Sequence, residues 1–331
     1  MDLERLLEKS QKRQWKVGDL DWSQKPRDLS PEDEMTIVQC FTDMAGIERL
    51  AGALFEAQRR SAEDPTIKEL FRTFVVDEVR HAHAAQMLAD HYDRRKLKHY
   101  SVNPSLRRFA PAFIGALEHF SPSVANAYTT GGEIMLDIAL LRSINDFVDD
   151  GMSTDVMRLI NQDESRHVAM DFHMVEYYCS DAWAEKAEAL PAKTPAEEVQ
   201  AWSAITKMMY FAQPFFQDVF FRPMQLVDPS GKRMQEAFKR MQLLSKKEEV
   251  ARTPLARLMT SARELYKNPI ARKTLGPVLT RLVGLDASAM DDLFTETEAR
   301  SVQGKTFDEL AQETLALKYQ SSSASRGRAA A

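Results

Sequence analysis

Asp77-Glu78-Val79-Arg80-His81 and Asp163-Glu164-Ser165-Arg166-His167 spell one pattern twice, Asp-Glu-x-Arg-His, 86 positions apart (163 minus 77). On a helix, residues at i and i+3 project from one face a turn apart, so the glutamate and histidine of each copy can reach a single metal ion. One Glu-x-x-His means little in a glutamate-rich chain with 7 histidines among 331 residues. Two five-residue copies are a different matter, because surface charge placed by chance would not repeat the aspartate and arginine along with the metal-binding pair.

Working outward from these copies, the chain reads as helical almost throughout. Glycine is scarce, at 12 residues. Pro31, Pro65, Pro122 and Pro195 stand where long periodic segments begin, as first-turn prolines do. Ser30, Asp64, Ser121 and Thr194 precede them as N-caps. A first helix is expected from Pro31 to about Ala62 and a second from Pro65 to about Arg94, joined by a turn so short that they must lie antiparallel. A third should run from Pro122 to about Asp150, ended by Gly151, and a fourth from near Ser153 to beyond Tyr178. The two motif copies then occupy the second and fourth helices. The basic crossover Lys96 to Ser121 carries a short helix around Leu106 to Phe120. The divisions expected are a leader over 1–30, a four-helix bundle over 31–180, further helices packed on it over 181–320, and a disordered tail over 321–331.

Two metal ions at close range demand carboxylates from the remaining two helices as well. The first helix offers Glu48, set among Ala45, Gly46, Ile47, Leu50 and Ala51, where a carboxylate needs a reason to be. If the first turn is centred near Glu63, Glu48 lies fifteen residues before it and Glu78 fifteen after, hence level in antiparallel helices. Glu56 would miss by about 12 Å at 1.5 Å per residue. The third helix offers Glu133, 85 positions after Glu48 (133 minus 48), nearly the spacing of the repeated motif. Turn counting alone favours Asp137 over Glu133 as the residue level with Glu164, unless the third helix carries an insertion such as a π-bulge. Asp137, one turn beyond Glu133, is therefore a further ligand, an acid facing the site, or an ion-paired helix carboxylate.

The set Glu48, Glu78, His81, Glu133, Glu164 and His167 resembles that of the ferritin-like superfamily of non-haem dinuclear-iron carboxylate proteins. These include bacterial multicomponent monooxygenases, acyl carrier protein desaturases, the ribonucleotide reductase small subunit and arylamine N-oxygenases. The likeness covers about Pro31 to Tyr178. It implies an all-α bundle in which the six residues hold two iron ions, as Fe/Fe or Mn/Fe. Asp77 and Asp163 would each fix the histidine of the opposite helix, and Arg80 and Arg166 would balance the buried charge. It implies an oxidoreductase that uses dioxygen and an external electron donor on a small organic molecule, with oxygenation as the expected reaction. Desaturation of a carrier-bound acyl chain, and ferroxidase or iron-storage activity, are the alternatives. Three positions depart from subgroup patterns. Ala85 stands where the reductase subunit has its tyrosine, which excludes a stable tyrosyl radical there. Asp137 replaces the threonine common in the monooxygenases, and Ile160 the extra histidine of the arylamine enzymes.

Composition sets the outer bounds. The formal net charge is -5, from 44 basic and 49 acidic residues spread along the chain, which leaves no basic footprint for nucleic acid. Cys40 and Cys179 are too few for a disulfide framework or a cysteine zinc site, and a reducing cytoplasm is expected. Neither a signal peptide nor a membrane span is expected. Expected partners are a small-molecule substrate, an electron-donor protein or other reductant, a second copy in a homodimer, and an acidic acyl or peptidyl carrier at Arg94 to Lys98 with Arg107 and Arg108. That basic stretch has a plainer reading as a solvated face. His83, His119 and His173 read as surface or partly buried histidines, or as neighbours of the ligands. The apolar run from Met208 to Phe221 reads as core or subunit interface, or as an entry to the site. Trp15 and Trp22 in the charged leader are expected to pack onto the bundle. Gly46, Gly52, Gly131 and Gly132 beside the ligand glutamates would allow close helix packing, or leave room for dioxygen and substrate.

Overall fold

The computed structural model describes residues 1–274, 276 and 290–318; the tail expected over 321–331 lies outside them. No strand occurs among the described residues. Helix α1 (Leu3–Lys12) opens the chain, followed by α2 (Pro31–Ser61) and α3 (Pro65–Tyr92), which form a long antiparallel hairpin. The crossover carries α4 (Pro104–Leu117). The second hairpin consists of α5 (Pro122–Ile134), its continuation through a π-helical segment Met135–Leu141 into α6 (Arg142–Val148), and α7 (Gly151–Tyr178). Two antiparallel hairpins joined by one long crossover are the ferritin-like arrangement of a four-helix bundle.

The helix starts follow local chemistry. Ser30, Asp64 and Ser121 each accept a backbone N–H of the first turn, with proline next in line. Such a cap contributes about 1 kcal/mol relative to alanine. Gly151 does not end the third helix as expected. Asp149 takes the left-handed conformation there (φ 50°), the Asp150 side chain caps α7 at Ser153, and Gly151 is the first residue of α7. A Cβ on Gly151 would lie 2.7 Å from Gln24 Oε1, the movable end of a side chain of the leader.

The π-helical segment settles the register left open by turn counting. A stretch that spends more residues per turn advances less per residue, so Met135–Leu141 draws Glu133 back toward the level of Glu164.

The core divides. A large apolar cluster fills the bundle from Ile37 and Phe41 to Ile144 and Ile160, and a smaller one, Phe55, Leu70, Phe71, Phe74, Met170, Met174 and Tyr178, fills the end near the first turn. Helices α8 (Asp181–Glu188) and α9 (Pro195–Phe215) follow, and α9 lies across α4, with Phe215 stacked on Phe109 at 4.3 Å. The apolar run from Met208 to Phe221 thus buries Met208, Ala212, Phe215, Phe220 and Phe221, while Trp202 and Tyr210 face outward. The C-terminal helix Phe307–Leu317 packs along α7. No helix among the described residues is long and apolar enough to cross a membrane.

Candidate metal centre

Each bundle helix brings one acidic residue to the same depth of the bundle, and α3 and α7 add a histidine. Glu48, Glu78, His81, Glu164 and His167 are 0% exposed and Glu133 is 3% exposed. Their ligand atoms fall into two overlapping groups, each within 4.8 Å: Glu48, Glu78, His81 and Glu164, and Glu78, Glu133, Glu164 and His167. Glu78 and Glu164 belong to both. Glu164 lies between the imidazoles, with Oε1 2.9 Å from His81 Nδ1 and Oε2 2.8 Å from His167 Nδ1. Glu78 lies between them too, 3.1 Å from His167 Nδ1 and 3.9 Å from His81 Nδ1. Two carboxylates shared by two histidines, with Glu48 completing one half and Glu133 the other, is the layout a pair of ions requires.

Charge and unmet hydrogen bonding fit cations. Both oxygens of Glu48 and of Glu78, with Glu133 Oε2 and Glu164 Oε1, make no well-aligned hydrogen bond among the described residues, the close approaches of Glu78 and Glu164 to the imidazole nitrogens included. Burying several such acceptors is costly unless something binds them. Burial pushes the Glu48 carboxyl up to about 7 and those of Glu78 and Glu133 well above the usual range. For Glu164 burial acts in the same direction, but the imidazoles of His167 and His81 outweigh it and hold this carboxyl well below its ordinary value. Burial likewise opposes charge on the two histidines, yet the surrounding carboxylates, Glu164 foremost, raise them to about 10 for His81 and about 9 for His167. Protons on the imidazoles stand where the positive charge of metal ions would stand. The donor set of nitrogen and carboxylate oxygen suits iron and manganese.

Behind the histidines the contacts cross between helices. His81 Nε2 lies 3.1 Å from Asp163 Oδ2, and His167 Nε2 lies 3.3 Å from Asp77 Oδ2. Arg80 donates to Asp77 and, at 2.9 Å, to Asp163, while Arg166 donates to Asp163 at 2.5 Å and to Asp77 at 3.4 Å. Two carboxylates and two guanidiniums thus form a closed, nearly neutral array. The leader seals it: Trp15 Nε1 donates to Asp163 Oδ2 at 2.7 Å and Gln14 Nε2 to Asp77 Oδ1 at 3.1 Å. The Arg80 guanidinium lies 5.0 Å from the Trp15 ring centre. On the other side Phe55 and Phe74 pack on the His167 ring at 4.9 and 4.3 Å.

Asp137 lies one turn from Glu133, outside both groups. Its Oδ2 accepts from Lys318 Nζ at 2.5 Å, a buried pair with each side chain 1% exposed. Lys318 also donates to the Asn161 carbonyl at 3.4 Å. Trp15 packs onto the bundle as expected, though its bond to Asp163 has no sequence signal, and Gln14 and Lys318 escape sequence reasoning because neither has a local pattern that points to the bundle. His83 is exposed, and His119 and His173 are half-buried outside the two groups. Ala85 is fully buried, so a methyl group takes the place of a phenol one turn after His81. Of the ligand-flanking glycines, three are closely packed: a Cβ would lie 2.8 Å from Leu106 Cδ2 at Gly46, 3.3 Å from Glu78 Cβ at Gly52 and 3.3 Å from Met241 Sδ at Gly131, while Gly132 has open space. In the basic crossover, Arg95 is paired with Glu34 and Asp28, and Arg94 with Asp28.

No family model matches the chain, and no curated protein matches it. Among solved structures it is similar to two mutants of an R2-like ligand-binding oxidase, each with an aerobically reconstituted Mn/Fe cofactor. Each alignment has 14% identity and covers 86% of this chain and 94% of the other, with TM-scores of 0.46 and 0.45. So loose a superposition carries no weight for the site. By its own hairpins, crossover and interior, the chain is an all-α protein built on a ferritin-like four-helix bundle.

Proposed function

We propose that the cage binds two transition-metal ions, iron in both places or manganese with iron, and that the protein is an oxygen-activating oxidoreductase acting on a small organic molecule. The observation that carries this reading is the sharing of Glu78 and Glu164 between two four-residue groups, each with its own histidine and terminal glutamate. A bound metal pair would supply electrons and Lewis acidity for the reduction of dioxygen.

The chain's own residues have separable tasks. Glu48, Glu78, His81, Glu133, Glu164 and His167 would hold the ions. Asp163 and Asp77 accept the Nε2 protons of His81 and His167, which turns each Nδ1 lone pair inward. Arg80 and Arg166 pair with both aspartates and balance their charge beside the histidines. Phe55 and Phe74 exclude water from the His167 side. Lys318 and Asp137 hold a proton between Nζ and Oδ2, one turn from Glu133 and within the interior.

A carrier-bound acyl chain is the alternative substrate: Arg94 and Arg95 are paired with Asp28 and Glu34, while Arg107 and Arg108 are exposed. The test is anaerobic loading with two ferrous equivalents, followed by oxygen-electrode measurement of uptake with and without an external reductant. A single stoichiometric uptake that becomes catalytic with reductant and an organic substrate is expected, and Glu164→Ala should lose it. Uptake that continues with each added ferrous equivalent and deposits ferric mineral would make the protein a ferroxidase instead.

A further inference from the structure

One turn beyond the cage, toward the α2–α3 turn, a layer of polar side chains is buried without finishing its hydrogen bonds. It consists of Gln58 on α2, Asn126 and Thr129 on α5, and Asp171 on α7, each at most 1% exposed. Two contacts join it in pairs, and Asn126 and Thr129, three residues apart on one face of α5, set the pairs side by side. Gln58 Nε2 donates to Thr129 Oγ1 at 2.9 Å, and Asn126 Nδ2 donates to the Asp171 carbonyl at 3.3 Å.

The orientation of both amides is fixed by their neighbours. Thr129 Oγ1 gives its proton to the Ala125 carbonyl at 3.0 Å, so it can only accept from Gln58, and the Asp171 carbonyl can only accept from Asn126. The amide oxygens are therefore the free ends. Gln58 Oε1, Asn126 Oδ1 and both carboxylate oxygens of Asp171 have no hydrogen-bond partner among the described residues. With Asp171 ionised every unmet atom in this layer is an acceptor, and because burial opposes that ionisation, a cation is what would hold the charge there.

No lysine or arginine among the described residues pairs with Asp171. The nearest positive field is His167, one turn earlier, and its Nδ1 and Nε2 face Glu164 and Asp77. Asp171 is also absent from the residue groups able to hold a metal ion. One carboxylate and two amide oxygens match an ammonium group in charge and donor count better than they match a third divalent ion, which prefers more anionic ligands.

We propose that Asp171, Gln58 and Asn126 bind the protonated amine of the substrate, so that the substrate is an organic ammonium compound. The inference rests on the metal-cage reading, since the layer matters as a substrate handle only beside a reactive centre. Asp171 lies four residues past His167, about 6 Å along the helix axis at 1.5 Å per residue. The ammonium group is thus the anchor, and the position oxidised lies several bonds away from it. Asp171 acts as a specificity-determining residue.

The test uses metal-loaded full-length protein with methylammonium chloride as the probe and tetramethylammonium chloride, which has no N–H donor, as the control. Methylammonium should give a saturable rise in Tm of about 2–4 °C, tetramethylammonium none, and Asp171→Asn should abolish the difference. Gln58→Leu, which keeps the carboxylate, should weaken methylammonium binding about tenfold, the scale of one hydrogen bond to a charged group. Metal content is counted on every variant. Two ions retained in Asp171→Asn with its methylammonium response lost supports the handle. Equal responses to both salts, an unchanged response in Asp171→Asn, or no response in the wild type, as for a site filled by water only, overturns it while leaving the cage intact. A third metal equivalent lost in Asp171→Asn overturns it in favour of an ion. Wild-type protein that binds no metal pair removes the cage reading, whatever the salts do.

Discussion

Asp137 and Asp171 are two aspartates in nearly the same situation. Each lies four residues past a cage residue, Glu133 or His167, and each is fully buried. Because α5 and α7 run antiparallel, they stand at opposite ends of the cage. Burial raises both carboxyls, Asp137 to about 7 and Asp171 well above its ordinary range. The difference is Lys318, which the C-terminal helix delivers to Asp137 and to which nothing among the described residues corresponds at Asp171. An uncompensated buried carboxylate costs several kcal/mol, so a fold supplies a partner, holds the group protonated, or keeps the place for a cation that arrives from outside. One end of the cage is closed by the chain itself. The other is finished only by a ligand.

The contrast can be broken most forcefully from the closed end. Lys318→Ala leaves Asp137 buried and alone, and should lower the unfolding free energy by roughly 3–5 kcal/mol in urea titrations. The double change Asp137→Asn with Lys318→Met should recover most of that loss. A Lys318→Ala protein as stable as wild type would mean that the pair does not form.

Between the two ends, Asp163→Ala removes the acceptor for His81 Nε2 and Trp15 Nε1. Metal affinity measured by competition with a chelator should fall about 10–100-fold, the usual consequence of freeing a ligand histidine. Unchanged affinity would show that Arg80, Arg166 and the leader do not act through the histidine.

The smallest effect belongs to the open end, and its sign matters more than its size. Asp171→Asn replaces a buried carboxyl whose ionisation burial opposes and should stabilise the protein by about 1 kcal/mol at neutral pH in the absence of amines. A loss comparable with that of Lys318→Ala would erase the distinction between the two aspartates.

The parts of this molecule that repeat or obey helix geometry were legible in the sequence. The doubled Asp-Glu-x-Arg-His pattern, the proline starts with their caps, and the apolar setting of Glu48 led to a bundle whose interior gathers Glu48, Glu78, His81, Glu133, Glu164 and His167. Glu133 was reachable through the repeat, whereas turn counting faltered because a π-helical segment changes the rise per residue and leaves no sequence signature. Gly151 misled because glycine can end one helix or stand at the start of the next, and here the Asp150 side chain caps α7 ahead of it. Lys318 reaches the interior through tertiary packing alone. Asp171 was within reach. It sits among Val168, Met170 and Phe172, and the question asked of Glu48, why a carboxylate stands in an apolar stretch, applies to it equally.

The central claim is a cage for two ions that share Glu78 and Glu164. Its most direct test is anomalous diffraction from crystals of protein loaded with iron or with manganese and iron. Two peaks are expected between these glutamates, one beside His81 and Glu48 and the other beside His167 and Glu133, and at least one peak should vanish in Glu164→Ala. A single peak, peaks elsewhere, or two undiminished peaks in Glu164→Ala would contradict the account.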